Sequence, residues 1–293
     1  MALEYDVLVT LPPRAVLPDG SSVRPLPAWS PMSATLIYGE RDAILIDAPH
    51  LEEQSRQVAE WVLASGKNLV AMYATHGHGD HWFGFSEVAK HFPGARMIAT
   101  EGTVALAEFA VGERMAFWNG QFPGQIVKDI VLPEVIDDHT FLLEGEEVRF
   151  VEAGDSDGPD TTFVHVPSIG LVVAGDIVYN GVHPYLAGGE KARPLPDRRA
   201  DWIAAIDKIA AVHPRAVVAG HKNPANDDDP RHLDETRKYL QDTEEVAAVA
   251  RHAKEFADLM LLRHLDRINP TILALTAEHL YPGTTVDGRA IEW

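Results

Sequence analysis

Thr75-His76-Gly77-His78-Gly79-Asp80-His81 packs three imidazoles and one carboxylate into the six positions from His76 to His81. Directly upstream, Asn68-Leu69-Val70-Ala71-Met72-Tyr73-Ala74 is a short apolar run that reads as a buried strand. A strand that stops at a Gly-punctuated loop fixes the directions of alternate side chains, so His76 and His78 can face one point. Imidazole nitrogen with carboxylate oxygen is the donor set that suits zinc and its first-row neighbours. The plain alternative is a solvated loop that happens to be rich in histidine, and the rest of the chain has to decide between them.

Two further strand ends do so. Ile169-Gly170-Leu171-Val172-Val173-Ala174-Gly175 runs straight into Asp176, and Arg215-Ala216-Val217-Val218-Ala219-Gly220 delivers His221. In each case the glycine before the polar residue permits a sharp turn and a close backbone approach. One histidine after a strand is ordinary. Three β-runs that each close on a metal-type residue are hard to explain as core histidines or solvated charges.

The HxHxDH loop (His76, His78, Asp80, His81), the Ala-Gly-Asp at Asp176 and the Gly-His at His221 resemble the metallo-β-lactamase superfamily of hydrolases. The resemblance implies that His76 and His78 belong to a first metal site and Asp80, His81 and His221 to a second, with Asp176 bridging. Asp47, closing the strand Ala43-Ile44-Leu45-Ile46, resembles the family's structural aspartate before the first βα turn; a simple strand-end turn is the other reading. One departure stands out. The family usually adds a third histidine to the first site after a mid-chain strand, but here Val148-Arg149-Phe150-Val151-Glu152-Ala153-Gly154 is followed by Asp155. Either Asp155 completes a first site of two histidines and one carboxylate, or that site is weak and a single zinc occupies the second. Asp157 and Asp160 lie close enough in sequence to substitute for Asp155.

The implied chemistry is hydrolysis. Zinc lowers the pKa of its bound water to about 7, giving a hydroxide to attack an electrophilic carbon. Asp80 is placed to orient or deprotonate that nucleophile as well as to bind metal. Residues that follow the ligands are the candidate substrate wall: Trp82 and Phe83 after His81, then Tyr179, Asn180 and Tyr185 after Asp176. His183 is either a general acid for the leaving group or a structural hydrogen-bonding residue. Arg193, Arg198 and Arg199 either clamp an anionic substrate or lie on the surface. Gly154-Asp155-Ser156-Asp157-Gly158 fits the G-x-S-x-G nucleophile elbow, but Pro159, Asp160 and a β-branched run follow where the elbow needs a helix. A serine hydrolase is thereby set aside. The leading expectation is a zinc-dependent hydrolase of a lactone, ester or thioester. A hydrolytic dehalogenase of an activated aromatic stays open, as does a non-hydrolytic oxygenase or binding member, which the change at Asp155 encourages.

Composition bounds the remainder. The 293 residues are 46% hydrophobic, enough for a sizeable core. No apolar run nears the roughly 18 residues of a membrane span, and the N-terminus lacks the basic start and apolar stretch of a signal peptide. The absence of cysteine removes disulfides and thiolate ligands. A net charge of -19 disfavours nucleic acid as a partner. The expected partner is therefore a small molecule, the expected location cytoplasmic, and a homo-oligomer remains open. Helical spacing covers Leu51 to Ser65, Trp82 to His91, Glu101 to Phe109 and Arg199 to Val212, while Met115 to Pro133 reads as irregular and aromatic, a flap or a loop core. The resemblance makes this a four-layer αββα sandwich over residues 1–228, with a C-terminal helical extension over 229–293. Those helices either cap the site or form an oligomer surface.

Overall fold

Two strands after Tyr38, one in each sheet, are apolar on both faces, and the two faces go to different places. In strand β3 (Asp42–Ile46), Ala43 and Leu45 point into one apolar cluster while Ile44 and Ile46 point into another. Strand β10 (Leu171–Asn180) repeats the pattern, with Leu171 and Val173 facing one way and Val172 and Ala174 the other. Side chains alternate across a strand, so a strand apolar on both faces has to be covered on both. This computed structural model, which describes residues 2–11, 29–113, 115–136, 138–187 and 195–286, shows what covers them.

Six strands form the first sheet in the order β1-β2-β3-β4-β5-β6: Glu4–Thr10, Met32–Tyr38, Asp42–Ile46, Asn68–Tyr73, Arg96–Ala99 and Glu134–Val135. Five form the second in the order β11-β10-β9-β8-β7, where β7 is Thr140–Leu143, β8 is Glu146–Gly154, β9 is Thr161–Val166 and β11 is Ala216–Lys222. Between the sheets, Ile44, Ile46 and Tyr73 meet Phe150, Val164, Val173 and Val218, with Tyr73 and Phe150 stacked at 3.9 Å. Outside the first sheet lie α1 (Glu52–Ala64), α2 (Phe85–Ala89), α3 (Glu101–Gly112) and α4 (Met115–Gln121). Outside the second lie α5 (Leu195–Ala211) and α6 (Arg231–Ala247), followed by α7 (Ala253–Arg263) and α8 (Pro270–Leu280). The result is the expected αββα order of layers. No helix among the described residues is long and apolar enough to cross a membrane.

Two expectations about elements need correction. The segment Trp82–His91 is helical only over Phe85–Ala89, because a 3-10 turn at Gly79–His81 precedes it and buries Trp82 and Phe83 beneath the loop. Met115–Pro133 is not irregular throughout. Its start is the helix α4, whose Trp118 packs on Trp29 at 5.7 Å and on His50 at 4.6 Å. Tertiary packing of aromatics there overrides a weak local helical signal. Beyond Asp228, Leu233, Tyr239, Leu240, Phe256 and Leu273 share one apolar cluster with Val172, Tyr179 and Trp202 of the sheet and α5.

Candidate metal centre

The first sheet delivers the histidine loop as expected. Strand β4 ends at Tyr73, and His76 and His78 then bring Nε2 and Nδ1 to within 3.1 Å of each other. The carboxylate that joins them is Asp157. Its Oδ2 lies 2.9 Å from His78 Nδ1 and 3.7 Å from His76 Nε2. This corrects the placement expected of Asp155, which belongs to none of the clustered His/Asp groups among the described residues. The cause is local. Gly154 leaves β8 at φ +98°, and the turn that follows points Asp155 back toward the backbone N–H of Asp160, at 3.4 Å, while Asp157 turns inward and is 1% exposed.

The second group collects Asp80, His81 and His221, with Asp176 between the groups. Asp176 Oδ1 is 3.2 Å from His81 Nε2, and its Oδ2 is 3.2 Å from His221 Nε2. Asp80 Oδ2 is 3.7 Å from His221 Nε2. Two glycines make this closeness possible. Gly175 takes φ +50° at a shift in the β10–β11 register, which aims Asp176 off the regular pleat. Gly220 lies so near that a Cβ there would collide with Asp176 Oδ1.

A second set of contacts orients these rings. Asp47, in a left-handed conformation at φ 61°, accepts from Thr75 N and Thr75 Oγ1 and meets His81 Nδ1, each at 2.8 Å. It is therefore more than a turn residue: it fixes which His81 nitrogen faces the centre. The carbonyl of Pro31 does the same for His221 Nδ1 at 3.0 Å. The Tyr179 hydroxyl donates to Asp176 Oδ2 at 2.5 Å.

Charge is tightly balanced here. Burial, reinforced by His81 and His78, holds the His76 ring well below the usual imidazole range. Burial also opposes charge on His81, but Asp176 and Asp47 outweigh it and hold that ring well above its usual value. Asp176 is pushed up by burial, yet His221 and His81 outweigh that and keep its carboxyl well below the usual range. Three atoms at the centre, His81 Nε2, Asp157 Oδ2 and Asp176 Oδ1, are buried and make no well-aligned hydrogen bond, although Asp157 Oδ2 lies 2.9 Å from His78 Nδ1 and the other two lie 3.2 Å apart. Buried polar atoms are seldom left so, and a divalent cation is the partner that these facing nitrogen and oxygen donors fit.

The cavity over the cluster has an empty volume of about 430 Å³ including its mouth. Tyr179 and Tyr185 line it, as the sequence suggested. Trp82 and Phe83 do not; both are fully buried in the core outside the first sheet, where the Trp82 indole donates to Gly77 O. Asn180 is also turned away, bonded to Asp227 O and to Asn226. His183 is corrected too. Gly181 at φ +65° and the bridge between Val182 and Ile268 carry it into the helical side, where its Nδ1 meets the Tyr239 hydroxyl at 3.0 Å. Burial, with Arg267 and His264 nearby, lowers its ring to about 3, and it lines no part of the cavity, so of the two readings offered by the sequence this placement fits the structural hydrogen-bonding one. Arg199 is buried 3.8 Å from Glu244 and Arg198 also lies off the cavity wall, whereas Arg193 falls outside the described residues. The rest of the wall is Trp29, Ser30, Phe117, Trp118 and Ile272. Phe117 and Trp118 were visible as an aromatic stretch, but no local pattern tied Trp29 or Ile272 to the site.

The family model of the Metallo-beta-lactamase superfamily matches residues 28–221, which span every donor named above. Among solved structures, a metallo-beta-lactamase family protein from Thermus thermophilus is similar at 19% identity and a TM-score of 0.59, covering 92% of this chain and 91% of that one. A metallo-beta-lactamase from Pontibacter korlensis is similar at 18% identity and a TM-score of 0.56, covering 82% of this chain and 99% of that one. Another, from Pseudomonas aeruginosa in its mono-zinc form, shares 16% identity at a TM-score of 0.53, covering 82% and 91%.

Proposed function

The chain belongs to the metallo-beta-lactamase superfamily, and from that premise we propose that it is a zinc-dependent hydrolase of small organic lactones, esters or thioesters. The observation that carries this reading is the convergence of buried imidazole nitrogens and carboxylate oxygens in two groups, with His81 Nε2, Asp157 Oδ2 and Asp176 Oδ1 making no well-aligned hydrogen bond. His76, His78 and Asp157 would hold one ion, Asp80, His81 and His221 a second, and Asp176 lies where it can serve both. When bound, zinc lowers the pKa of coordinated water to about 7 and polarises the oxygen of an acyl group.

The chain's own residues supply the remainder. His81 and His221 pull the Asp80 carboxyl down against the upward push of burial, so it is ionised at neutral pH and can take a proton from the attacking water. The Tyr179 hydroxyl and the Asp47 carboxylate hold Asp176 and His81 in place, which limits reorganisation during the reaction. Aromatic side chains over the cluster exclude bulk water, which strengthens each charge interaction inside. A second reading, hydrolytic dehalogenation of an activated aromatic, is favoured by the same aromatic wall.

The test is a panel of chromogenic esters, thioesters, lactones and haloaromatics on zinc-loaded protein, with the metal content measured alongside. Turnover of an acyl substrate should appear with zinc, vanish on chelation and fall at least a hundredfold in His221→Ala. A protein that carries zinc and turns over none of the acyl substrates, or one that binds iron and consumes oxygen, would refute the reading.

A further inference from the structure

The cavity has two unlike halves. One is the donor cluster with its three carboxylates, Asp80, Asp157 and Asp176. The other is apolar: Trp29, Phe117, Trp118, Tyr185 and Ile272. Trp118 meets Trp29 edge to face at 5.7 Å and Phe117 edge to face at 5.3 Å, while Trp29 and Phe117 lie tilted to each other at 6.3 Å. Trp118 and Ile272 are nearly fully buried, while Trp29, Phe117 and Tyr185 each keep a partly open face.

Among the described residues no lysine or arginine lines this cavity. The described cations of neighbouring segments lie off this wall. Lys222, next to His221, is 5% exposed and pairs with Asp228 Oδ1 at 2.5 Å. Arg267 gives its guanidinium to the carbonyl of Val182 at 2.5 Å and to the face of Tyr239 at 4.9 Å. Arg199 lies 3.8 Å from Glu244 and is not part of the wall. A substrate carboxylate lying on the aromatic half would lose its water and find no counter-ion among the described residues, a costly exchange. A flat, uncharged ring there meets the offset and edge-on partners that aromatic faces favour.

We infer that this site selects substrates whose non-reacting end is an uncharged aromatic group, seated between Trp29, Phe117, Trp118 and Tyr185, and discriminates against those carrying a carboxylate at that end. The inference rests on the hydrolytic reading only in deciding which end of the substrate faces the donors.

Two measurements test it. In the first, quenching of tryptophan fluorescence reports binding of methyl 4-acetamidobenzoate and of 4-acetamidobenzoate to zinc-loaded protein, neither compound requiring turnover. In the second, kcat/KM is compared for methyl 4-acetoxybenzoate and 4-acetoxybenzoate. The neutral member of each pair should be favoured at least tenfold. Phe117→Ala, at a partly exposed position, should weaken binding of the neutral amide at least fivefold while the zinc content stays that of the unaltered protein. Trp118→Leu provides a second probe should the first variant lose its fold. Equal or tighter binding of the carboxylate, together with equal kcat/KM for the two esters, would overturn the inference even if the enzyme hydrolyses both. A clear neutral preference in binding with no ester turnover would instead keep this inference and remove the hydrolytic one.

Discussion

At the scale of single residues, the decision that mattered most was made over two positions in one turn. Asp155 stands where a mid-chain strand hands over to the site, yet the side chain that reaches His78 is that of Asp157, at 2.9 Å. Sequence spacing locates the strand end; it does not set the direction of side chains through a turn whose glycine sits at φ +98°. The two aspartates can be told apart directly. Asp157→Ala should lower the zinc bound at saturation by about one equivalent per chain, because it removes one of three donors from its group. Asp155→Ala should leave that number unchanged. Metal analysis after gel filtration reads both, and the reverse pattern would return the role to Asp155. Asp47 belongs at this scale as well. One carboxylate that receives Thr75 and orients His81 shows why a left-handed aspartate stands at the end of β3.

At the scale of elements, β10 carries the most. It pairs with β9 on one side and β11 on the other, supplies Asp176 at a register shift, then continues through Tyr179 to the turn at Gly181. There the helical segment fastens onto it. Arg267, after α7, is 9% exposed and donates to the carbonyls of Val182, Tyr179 and Glu235, while Ile268 bridges Val182. Arg267→Leu should leave the Val182 carbonyl without a donor and strip one from those of Tyr179 and Glu235, and so cost about 1–3 kcal/mol of stability, the cost of an unsatisfied buried polar group. Urea unfolding monitored by circular dichroism would show the midpoint fall with little change in slope. An unchanged midpoint would mean that water takes over those carbonyls. Asn269, held at φ 72°, bonds Ser30 of the cavity wall, so α8 and its Ile272 are placed by the same fastening.

At the scale of the whole molecule, the candidate metal centre sits where the two sheets and the helical segment meet, so binding an ion there would be linked to folding. An ion held by donors from the loop after β4, the β8–β9 turn, β10 and β11 would bind tightly only to the folded chain. At a free zinc concentration a hundredfold above its dissociation constant it should add about 2.7 kcal/mol. For a chain of this size that corresponds to a rise in the unfolding midpoint of roughly 4 °C. Differential scanning calorimetry before and after chelation measures it, and a midpoint that ignores zinc would mean that no site exists in the native state. What the sequence by itself determined is considerable. The alternation of strands and helices suited a layered sandwich, which the family resemblance made αββα, and three strand ends carrying His76 to His81, Asp176 and His221 supplied the candidate donors, because strand periodicity and glycine placement are local properties. What only the tertiary structure decided was everything set by the path of the chain beyond those strands: Asp157 in place of Asp155, His183 turned into the helical core, Trp82 and Phe83 buried, and Trp29, Phe117, Trp118 and Ile272 assembled over the cluster. The physical reason is that these side chains come from segments far apart in sequence, and it is packing between layers, with no local periodicity to announce it, that brings them to one wall.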